Sequence, residues 1–163
     1  MTGVTNAGET TAYSYDANGS VLYERTDTKR HIYYTYNAAG IRTSKTVNGV
    51  TTQHLLDGVN VAADVTNGQT TSFVRGLGLI SMNAGGVKSY YVTDGHGDVR
   101  ALVNASGAVT KRYDYDAFGV EQDADETDPN PFRYCGEYYD KETGSIYLRA
   151  VSYTHLTLPT TSR

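Results

Sequence analysis

The residue types that most often carry chemistry are few and scattered in this sequence. Cys135 is the single cysteine, which excludes an internal disulfide framework and a multi-cysteine zinc site. A nucleophilic thiol needs a histidine and a carboxylate as partners. The sequence indicates no such arrangement, so we expect a part-buried, chemically silent thiol. The histidines form no i, i+4 pair, so neither a metal site nor a cofactor is predicted; they are His31, His54, His96 and His155.

An acidic run late in the chain invites a calcium interpretation. Counted from Asp123, however, it lacks the glycine at the sixth position and the glutamate at the twelfth position of a calcium loop. We therefore predict a solvated, mobile acidic loop over residues 121–131. The carboxylates of the run are Glu121, Asp123, Asp125, Glu126 and Asp128.

The length and charge of the chain narrow the possible functions. With 163 residues it is one domain or a piece of a larger one. A formal net charge of −4 argues against a nucleic-acid or polybasic membrane partner. No apolar run approaches the roughly 20 residues of a membrane span, and the first residues lack the pattern of a signal peptide. The aromatic residues are lopsided, with 15 tyrosines, three phenylalanines and no tryptophan.

Many of these tyrosines belong to a repeated unit. In each copy a tyrosine stands six residues before a glycine, and an aspartate or asparagine stands three residues before it. Four copies recur, in two pairs whose members are about 20 residues apart, which indicates a repeat architecture. The repeat residues are Tyr13, Tyr15, Asp16 and Gly19; Tyr34, Tyr36, Asn37 and Gly40; Tyr91, Asp94 and Gly97; and Tyr113, Tyr115, Asp116 and Gly119.

One copy of the repeat reads as a β-hairpin. Tyr-x-Tyr places two rings on one face of a strand, and Asp-x-x-Gly fits a turn in which glycine supplies a positive φ. Further turn signals at Asn48-Gly49, Asn67-Gly68 and residues 105–107 separate Thr-, Val- and Tyr-rich runs. These patterns predict an all-β fold, an antiparallel ribbon of hairpins with little or no helix. Because a single hairpin cannot bury its apolar face, the natural object should be longer than this chain.

The repeat tyrosines have two interpretations. Their rings could pack the ribbon, with each hydroxyl reaching water or a carbonyl. Alternatively, outward rings could stack on sugars and make the ribbon a carbohydrate-binding surface. Packing is favoured because it explains why the tyrosines always stand at a fixed distance before the Asp-x-x-Gly turn. Sugar binding would not require that fixed spacing.

The ordered series of motifs over residues 11–150 resembles the YD-repeat family. This family includes the rearrangement-hotspot (Rhs) proteins, the shell component of insecticidal toxin complexes, and teneurins. The most specific segment reads Asn-Pro-Phe-Arg-Tyr-Cys-Gly-Glu-Tyr-Tyr-Asp and resembles the start of the Rhs-associated core. The segments that carry the resemblance are residues 73–80, 90–102, 113–119, 130–140 and 142–150.

The resemblance implies a role in containment. In the family a β-ribbon spirals into a hollow shell around a variable C-terminal polypeptide, often a toxin. It implies a YD-repeat ribbon at 1–120, the acidic loop at 121–131 and the start of the core at 132–150. The family's self-cleaving carboxylates follow that segment, so the chain is expected to be a wall segment and not an enzyme.

The resemblance also implies partners and a setting. Further YD repeats and the C-terminal toxin of the same parent chain are the expected partners, in a protein that is secreted or on the cell surface. The expected processes are toxin export, toxin delivery or competition between bacteria. The alternative is a surface adhesin or carbohydrate-binding module with a cell-surface glycan as its partner. Neither a nucleic acid nor a membrane span is expected.

The family pattern is lost after residue 150. Residues 151–160 resemble the translation of a transposase adapter used to prepare sequencing libraries. We therefore expect residues 151–163 to be a non-native tail on a metagenomic reading frame, and the fold predictions exclude them.

Overall fold

A single antiparallel sheet, in which each strand pairs with the next one along the chain, dominates the structure. The computed structural model describes residues 2–6, 9–26, 30–125 and 127–149. Glu126, His155 and the predicted non-native tail lie outside the described residues. The strands of the sheet are β1 (Thr2–Asn6), β2 (Glu9–Tyr15), β3 (Val21–Thr26), β4 (His31–Tyr36), β5 (Arg42–Val47), β6 (Val50–Asp57), β7 (Asn60–Thr66), β8 (Gln69–Arg75), β9 (Leu79–Ala84), β10 (Val87–Thr93), β11 (Val99–Val103) and β12 (Val109–Arg112).

Two short elements follow the large sheet. A single 3-10 turn spans Tyr134–Gly136, and β13 (Tyr138–Asp140) pairs with β14 (Ser145–Tyr147) in a separate two-stranded sheet. The predicted all-β antiparallel ribbon is therefore confirmed. No helix among the described residues is long and apolar enough to cross a membrane.

Five turns in the described part of the chain share one hydrogen-bond pattern. Asp16 Oδ1 accepts hydrogen bonds from the backbone N–H groups of Asn18 and Ser20, both at 2.8 Å. Gly19 then adopts a φ of 82°, a conformation that a Cβ would strain. The pattern recurs at Asn37, Asp94, Asn104 and Asp116, with Gly40, Gly97, Gly107 and Gly119 at positive φ.

Tighter turns join other neighbouring strands. At Asn48-Gly49 both central residues have positive φ, 48° and 88°, and at Asn67-Gly68 they have 50° and 76°. This is the backbone of a type I′ turn, whose twist matches that of the flanking strands. Consequently Val47 lies opposite Val50 across the first of these hairpins. The two Asn-Gly turns predicted from the sequence are therefore confirmed.

One face of the large sheet is covered by residues 128–149; we call it the covered face. Strand β4 shows the alternation, because Ile32 and Tyr34 are buried whereas His31 and Tyr33 are exposed. Phe132 lies at the centre of the apolar core, with its ring edge-to-face against Phe73 at 4.8 Å. The buried core cluster comprises Val61, Phe73, Leu79, Met82, Val99, Leu102, Tyr113, Phe132 and Tyr138.

The prediction of a solvated acidic loop is wrong for two of its carboxylates. The side chains of Glu121 and Asp128 are only 4% and 5% exposed, because both lie against the buried guanidinium of Arg133. Asp123 and Asp125 are exposed. The acidic residues at the two ends of the loop thus balance a buried cation.

Candidate functional site: the covered face

The strongest polar link across the covered face is an ion pair between Arg42 on β5 and Asp140 on β13. Two guanidinium nitrogens of Arg42 donate to the two carboxylate oxygens of Asp140, at 2.7 and 3.1 Å. Lys45 Nζ donates to Asp140 Oδ1 at 2.9 Å and to Glu142 Oε2 at 2.7 Å. Two cations and two carboxylates therefore fasten the β13–β14 hairpin to β5.

The surroundings of this cluster are aromatic. The Arg42 guanidinium lies over the rings of Tyr147, Tyr138 and Tyr34, at 4.3, 5.0 and 5.3 Å from their centroids. Such positions favour a planar cation. Burial alone would raise the pKa of Asp140, but the charges of Arg42 and Lys45 outweigh burial and hold that pKa below its usual range. Asp140 is therefore ionised at neutral pH.

A second polar link joins β13 to β6 and β7. His54 Nδ1 lies 2.6 Å from Asp64 Oδ1, and the Tyr138 hydroxyl donates to Asp64 Oδ2 at 2.7 Å. Burial and the adjacent Asp64 carboxylate raise the pKa of Tyr138 well above its usual value. The Tyr138 hydroxyl thus stays protonated and acts as a hydrogen-bond donor.

A third link anchors the start of residues 128–149, which we call the covering segment. Arg133 forms ion pairs with Glu121 Oε2 at 2.9 Å and with Asp128 Oδ2 at 3.2 Å. Asp128 Oδ2 also accepts from the Tyr113 hydroxyl at 2.7 Å, and Asn130 Nδ2 donates to the Phe132 carbonyl at 2.7 Å.

The first tyrosine of each predicted repeat points toward a polar group on this face. The Tyr34 hydroxyl donates to Glu24 Oε2 at 3.3 Å, and the Tyr91 hydroxyl donates to Asn130 Oδ1 at 2.9 Å. Tyr113 reaches Asp128 as described. Tyr13 also interacts with Glu24. Burial of Tyr13 is the main cause of its raised pKa, and the negative charge of Glu24 is the next.

The second tyrosine connects one repeat to the repeat before it. The Tyr36 hydroxyl donates to the carbonyl of Val21 at 2.8 Å, and the Tyr115 hydroxyl donates to the carbonyl of Val99 at 2.8 Å. Each acceptor is the first strand residue after the preceding Asp-x-x-Gly turn. Tyr15 is 44% exposed, and its ring stacks on Tyr13. These contacts favour packing of the repeat tyrosines.

A cavity of about 330 Å³ opens beside the Asp140 cluster. Tyr13, Glu24, Tyr36 and Arg42 lie in its wall. Burial raises the pKa of Glu24, while hydrogen bonds from Tyr34 and Tyr13 act in the opposite direction. The cavity combines tyrosine rings with charged groups but brings no nucleophile against a base.

The structure brings three residues together that the sequence analysis kept apart. His96 Nδ1 lies 3.0 Å from Asp98 Oδ1 and 3.8 Å from Cys135 Sγ. One ring nitrogen therefore faces both partners, whereas a catalytic triad uses the two ring nitrogens separately. Hydrogen bonding to Asp98 raises the pKa of His96, and partial burial, followed by the Asp98 charge, raises the pKa of the Cys135 thiol.

Sequence reasoning missed the charged residues of the covered face as well as this cluster. Arg42, Lys45 and Asp64 are themselves charged, so no apolar alternation marks their sheet positions as buried. A signal was available for His96 and Asp98, because both belong to one turn. Cys135, however, is 39 residues from His96, and only the fold brings it there.

Comparison with curated proteins finds relatives among bacterial tRNA nucleases. The chain is 37% identical over 152 residues to the tRNA3(Ser)-specific nuclease WapA of Bacillus spizizenii. It is 36% identical over 152 residues to the tRNA(Glu)-specific nuclease WapA of Bacillus subtilis subsp. natto and to the tRNA nuclease WapA of Bacillus subtilis strain 168. Each match covers 86% of this chain but only 6% of the relative. No protein-family model matches the chain.

These relatives overturn the expectation that the chain is not an enzyme. All three are named as nucleases, so the prediction of a non-enzyme is wrong. Their names also include a nucleic acid, tRNA, whereas the sequence analysis expected no nucleic-acid partner. The chain spans only 6% of each relative, so the names describe the activity of those longer proteins.

Solved structures of toxin complexes share the fold. The TcdB2–TccC3–TEV crystal structure superposes with a TM-score of 0.63 at 14% identity, over 84% of this chain and 8% of that chain. The Photorhabdus luminescens Tc holotoxin pore gives a TM-score of 0.59 at 14% identity, with the same coverage. At this identity the likeness shows the fold alone. It supports the predicted all-β fold of the Rhs/YD-repeat type.

Proposed function

We propose that this chain forms part of the wall of a β-sheet shell in a longer toxin protein that cleaves tRNA. The observation that carries the proposal is the covered face, on which a single sheet holds residues 128–149 through buried ion pairs. The nuclease names of the relatives support a tRNA-cleaving activity for the parent protein. Because the chain spans only 6% of each relative, substrate and activity are proposals about that longer protein.

The topology of the sheet suits a wall that extends by adding repeats. Strands β1 to β12 run in sequence order, so β1 and β12 are the two edges of the sheet. An open edge offers unpaired backbone groups to another strand. We propose that further YD repeats of the parent chain pair there, and that the hydroxyl links from Tyr36 and Tyr115 set the packing between successive repeats.

The covered face suits the inner surface of such a shell. Its polar links involve groups that are costly to bury without partners, and each link is completed by residues 128–149. These links therefore hold the covering segment at one defined position on the sheet. We propose that this segment lines the interior and directs the polypeptide that follows it into the enclosed space.

The proposed setting is export or delivery of a toxin in bacterial competition, by a secreted or cell-surface protein. Enclosure would keep the tRNA-cleaving polypeptide from acting before delivery. The carbohydrate-binding alternative stays a prediction. The hydroxyls of Tyr34, Tyr36, Tyr91, Tyr113 and Tyr115 are already engaged within the chain.

Limited proteolysis of the protein encoded by the complete gene tests the proposal. In the unaltered protein, the polypeptide that follows residue 149 should survive a protease concentration that digests it once it is separated from the wall. Asp140→Asn should increase its cleavage, because Arg42 and Lys45 lose a buried counter-charge. Asp114→Asn is the matched control, since Asp114 pairs with Arg100 at the surface with a side chain 72% exposed. Equal digestion of the attached and separated polypeptides would refute enclosure.

A further inference from the structure

We propose that His96, Asp98 and Cys135 bind one Zn²⁺ ion. The possible ligand atoms of the three side chains lie within 4.8 Å of one another. The His96 Nδ1 to Cys135 Sγ distance is 3.8 Å, and the His96 Nδ1 to Asp98 Oδ1 distance is 3.0 Å. Zinc bonds of about 2.0–2.3 Å place tetrahedral ligands roughly 3.3–3.6 Å apart. The two His96 distances therefore differ from a tetrahedral separation by only a few tenths of an ångström, and the Asp98 and Cys135 ligand atoms, within 4.8 Å of each other, need a further side-chain adjustment to enclose the ion.

The backbone holds these side chains in position. His96 and Asp98 belong to the turn closed by Asp94, whose Oδ1 accepts from both of their backbone N–H groups. The backbone N–H of Cys135 donates to Asp98 Oδ1 at 2.7 Å. Cys135 has a φ of 54°, a conformation that strains a residue with a Cβ and that often marks a functional position.

The donor set selects the kind of ion. Thiolate and imidazole are ligands of zinc rather than of calcium or magnesium, which prefer oxygen alone. A thiolate and a carboxylate together also balance the charge of a divalent cation. The His96 side chain is 59% exposed, so water can occupy the fourth position, as in open zinc sites.

Bound zinc would staple two distant parts of the chain. Residues 94–98 form a repeat turn, whereas Cys135 lies in the segment that covers the sheet, 39 residues from His96. The ion would therefore fix the covering segment to the turn between β10 and β11. This inference rests on the local geometry and does not depend on the proposed function.

Metal titration of the full 163-residue chain tests the site. Zn²⁺ affinity is measured by competition with a chromophoric chelator after metal is removed, and Co²⁺ serves as a spectroscopic probe. One Zn²⁺ should bind per chain, and Co²⁺ should give a thiolate charge-transfer band. Cys135→Ser and His96→Ala should each weaken Zn²⁺ binding at least about tenfold, the lower bound known for outer ligand partners. Cys135→Ser should also abolish the Co²⁺ band.

His31→Ala is the matched control, because His31 is also an exposed histidine but lies on β4, away from Asp98 and Cys135. It should bind Zn²⁺ as the unaltered chain does. Circular dichroism and urea unfolding of each variant show whether it folds. We expect both variants to fold, because serine is nearly isosteric with cysteine and the His96 side chain is exposed. The absence of a Co²⁺ charge-transfer band, or unweakened Zn²⁺ binding in Cys135→Ser, would overturn the proposal.

Discussion

Arg42 and Asp140 form a buried, two-pronged ion pair although 98 residues separate them in the sequence. Their side chains are 3% and 5% exposed, so both charges are largely removed from bulk solvent. An ion pair of this kind ties the position of β13 to that of β5. It makes the covering segment part of the ribbon's structure rather than a loosely attached tail.

Asp140→Asn should lower the free energy of unfolding by about 3 kcal/mol, because removing one partner strands a buried charge. Asp114→Asn should cost less than about 1 kcal/mol, since exposed ion pairs contribute little. Urea unfolding of the full chain, followed by circular dichroism, measures both. Similar losses in the two variants would contradict the assignment of Asp140 as the central anchor.

The contribution of Asp140 should depend on pH in a defined direction. Its pKa in the folded chain lies below the usual value, whereas the unfolded value is about 3.9. Its ionised form therefore stabilises the fold above that pH, and this stability is lost as the pH falls through the folded pKa. The difference in unfolding free energy between the unaltered chain and Asp140→Asn should be constant from pH 7 to about pH 5 and should shrink below about pH 4. A difference that grows on acidification would contradict this assignment.

The hydroxyl links between repeats should be measurable one at a time. Tyr36→Phe and Tyr115→Phe each remove a donor to a strand carbonyl and should each cost about 1 kcal/mol. Tyr33→Phe is the control, because Tyr33 is 52% exposed on the opposite face, and it should have almost no effect. Thermal and urea unfolding give the comparison. A loss at Tyr33 as large as that at Tyr36 would show that the hydroxyl links have no special role.

Two turn glycines should respond differently to the same substitution. Gly107→Ala meets no atom within 4 Å but retains a φ of 81°, so it should cost about 1 kcal/mol. Gly119→Ala places a Cβ 2.7 Å from the Tyr134 ring and should cost about 1–3 kcal/mol more, through overpacking. Urea unfolding measures both losses. An equal loss at the two positions would mean that the Tyr134 ring moves away freely.

The ribbon was predictable because its strands and turns are determined by residues that are close together in the sequence. Tyr-x-Tyr fixes a strand face by a period of two, and Asp-x-x-Gly or Asn-Gly fixes a turn by the conformations that its residues favour. A fifth turn of the same geometry, at Asn104, was predicted only as a general turn. Ala101 stands three residues before Asn104, at the position where every other copy has a tyrosine, so the repeat pattern did not include this turn.

The covered face could not be predicted in the same way, because its contacts join residues far apart in the sequence. Asp140 is paired with Arg42 only after β13 docks on β5. Glu121 and Asp128 belong to an acidic run that the sequence predicts to be solvated. In the folded chain, Arg133 lies against both carboxylates. The contact between His96 and Cys135 could not be predicted for the same reason, because 39 residues separate them in the sequence. Hydrophobic pattern is a poor guide where the buried groups are charged and paired.

In the proposed shell the sheet is a wall, and residues 128–149 lie on its inside. Electron cryo-microscopy of the protein encoded by the complete gene tests this most directly. We expect β1 to β12 to continue into further repeats around an enclosed space, with Phe132 and Asp140 on the inner side. An open ribbon, or a closed shell with Phe132 and Asp140 on its outer surface, would contradict it.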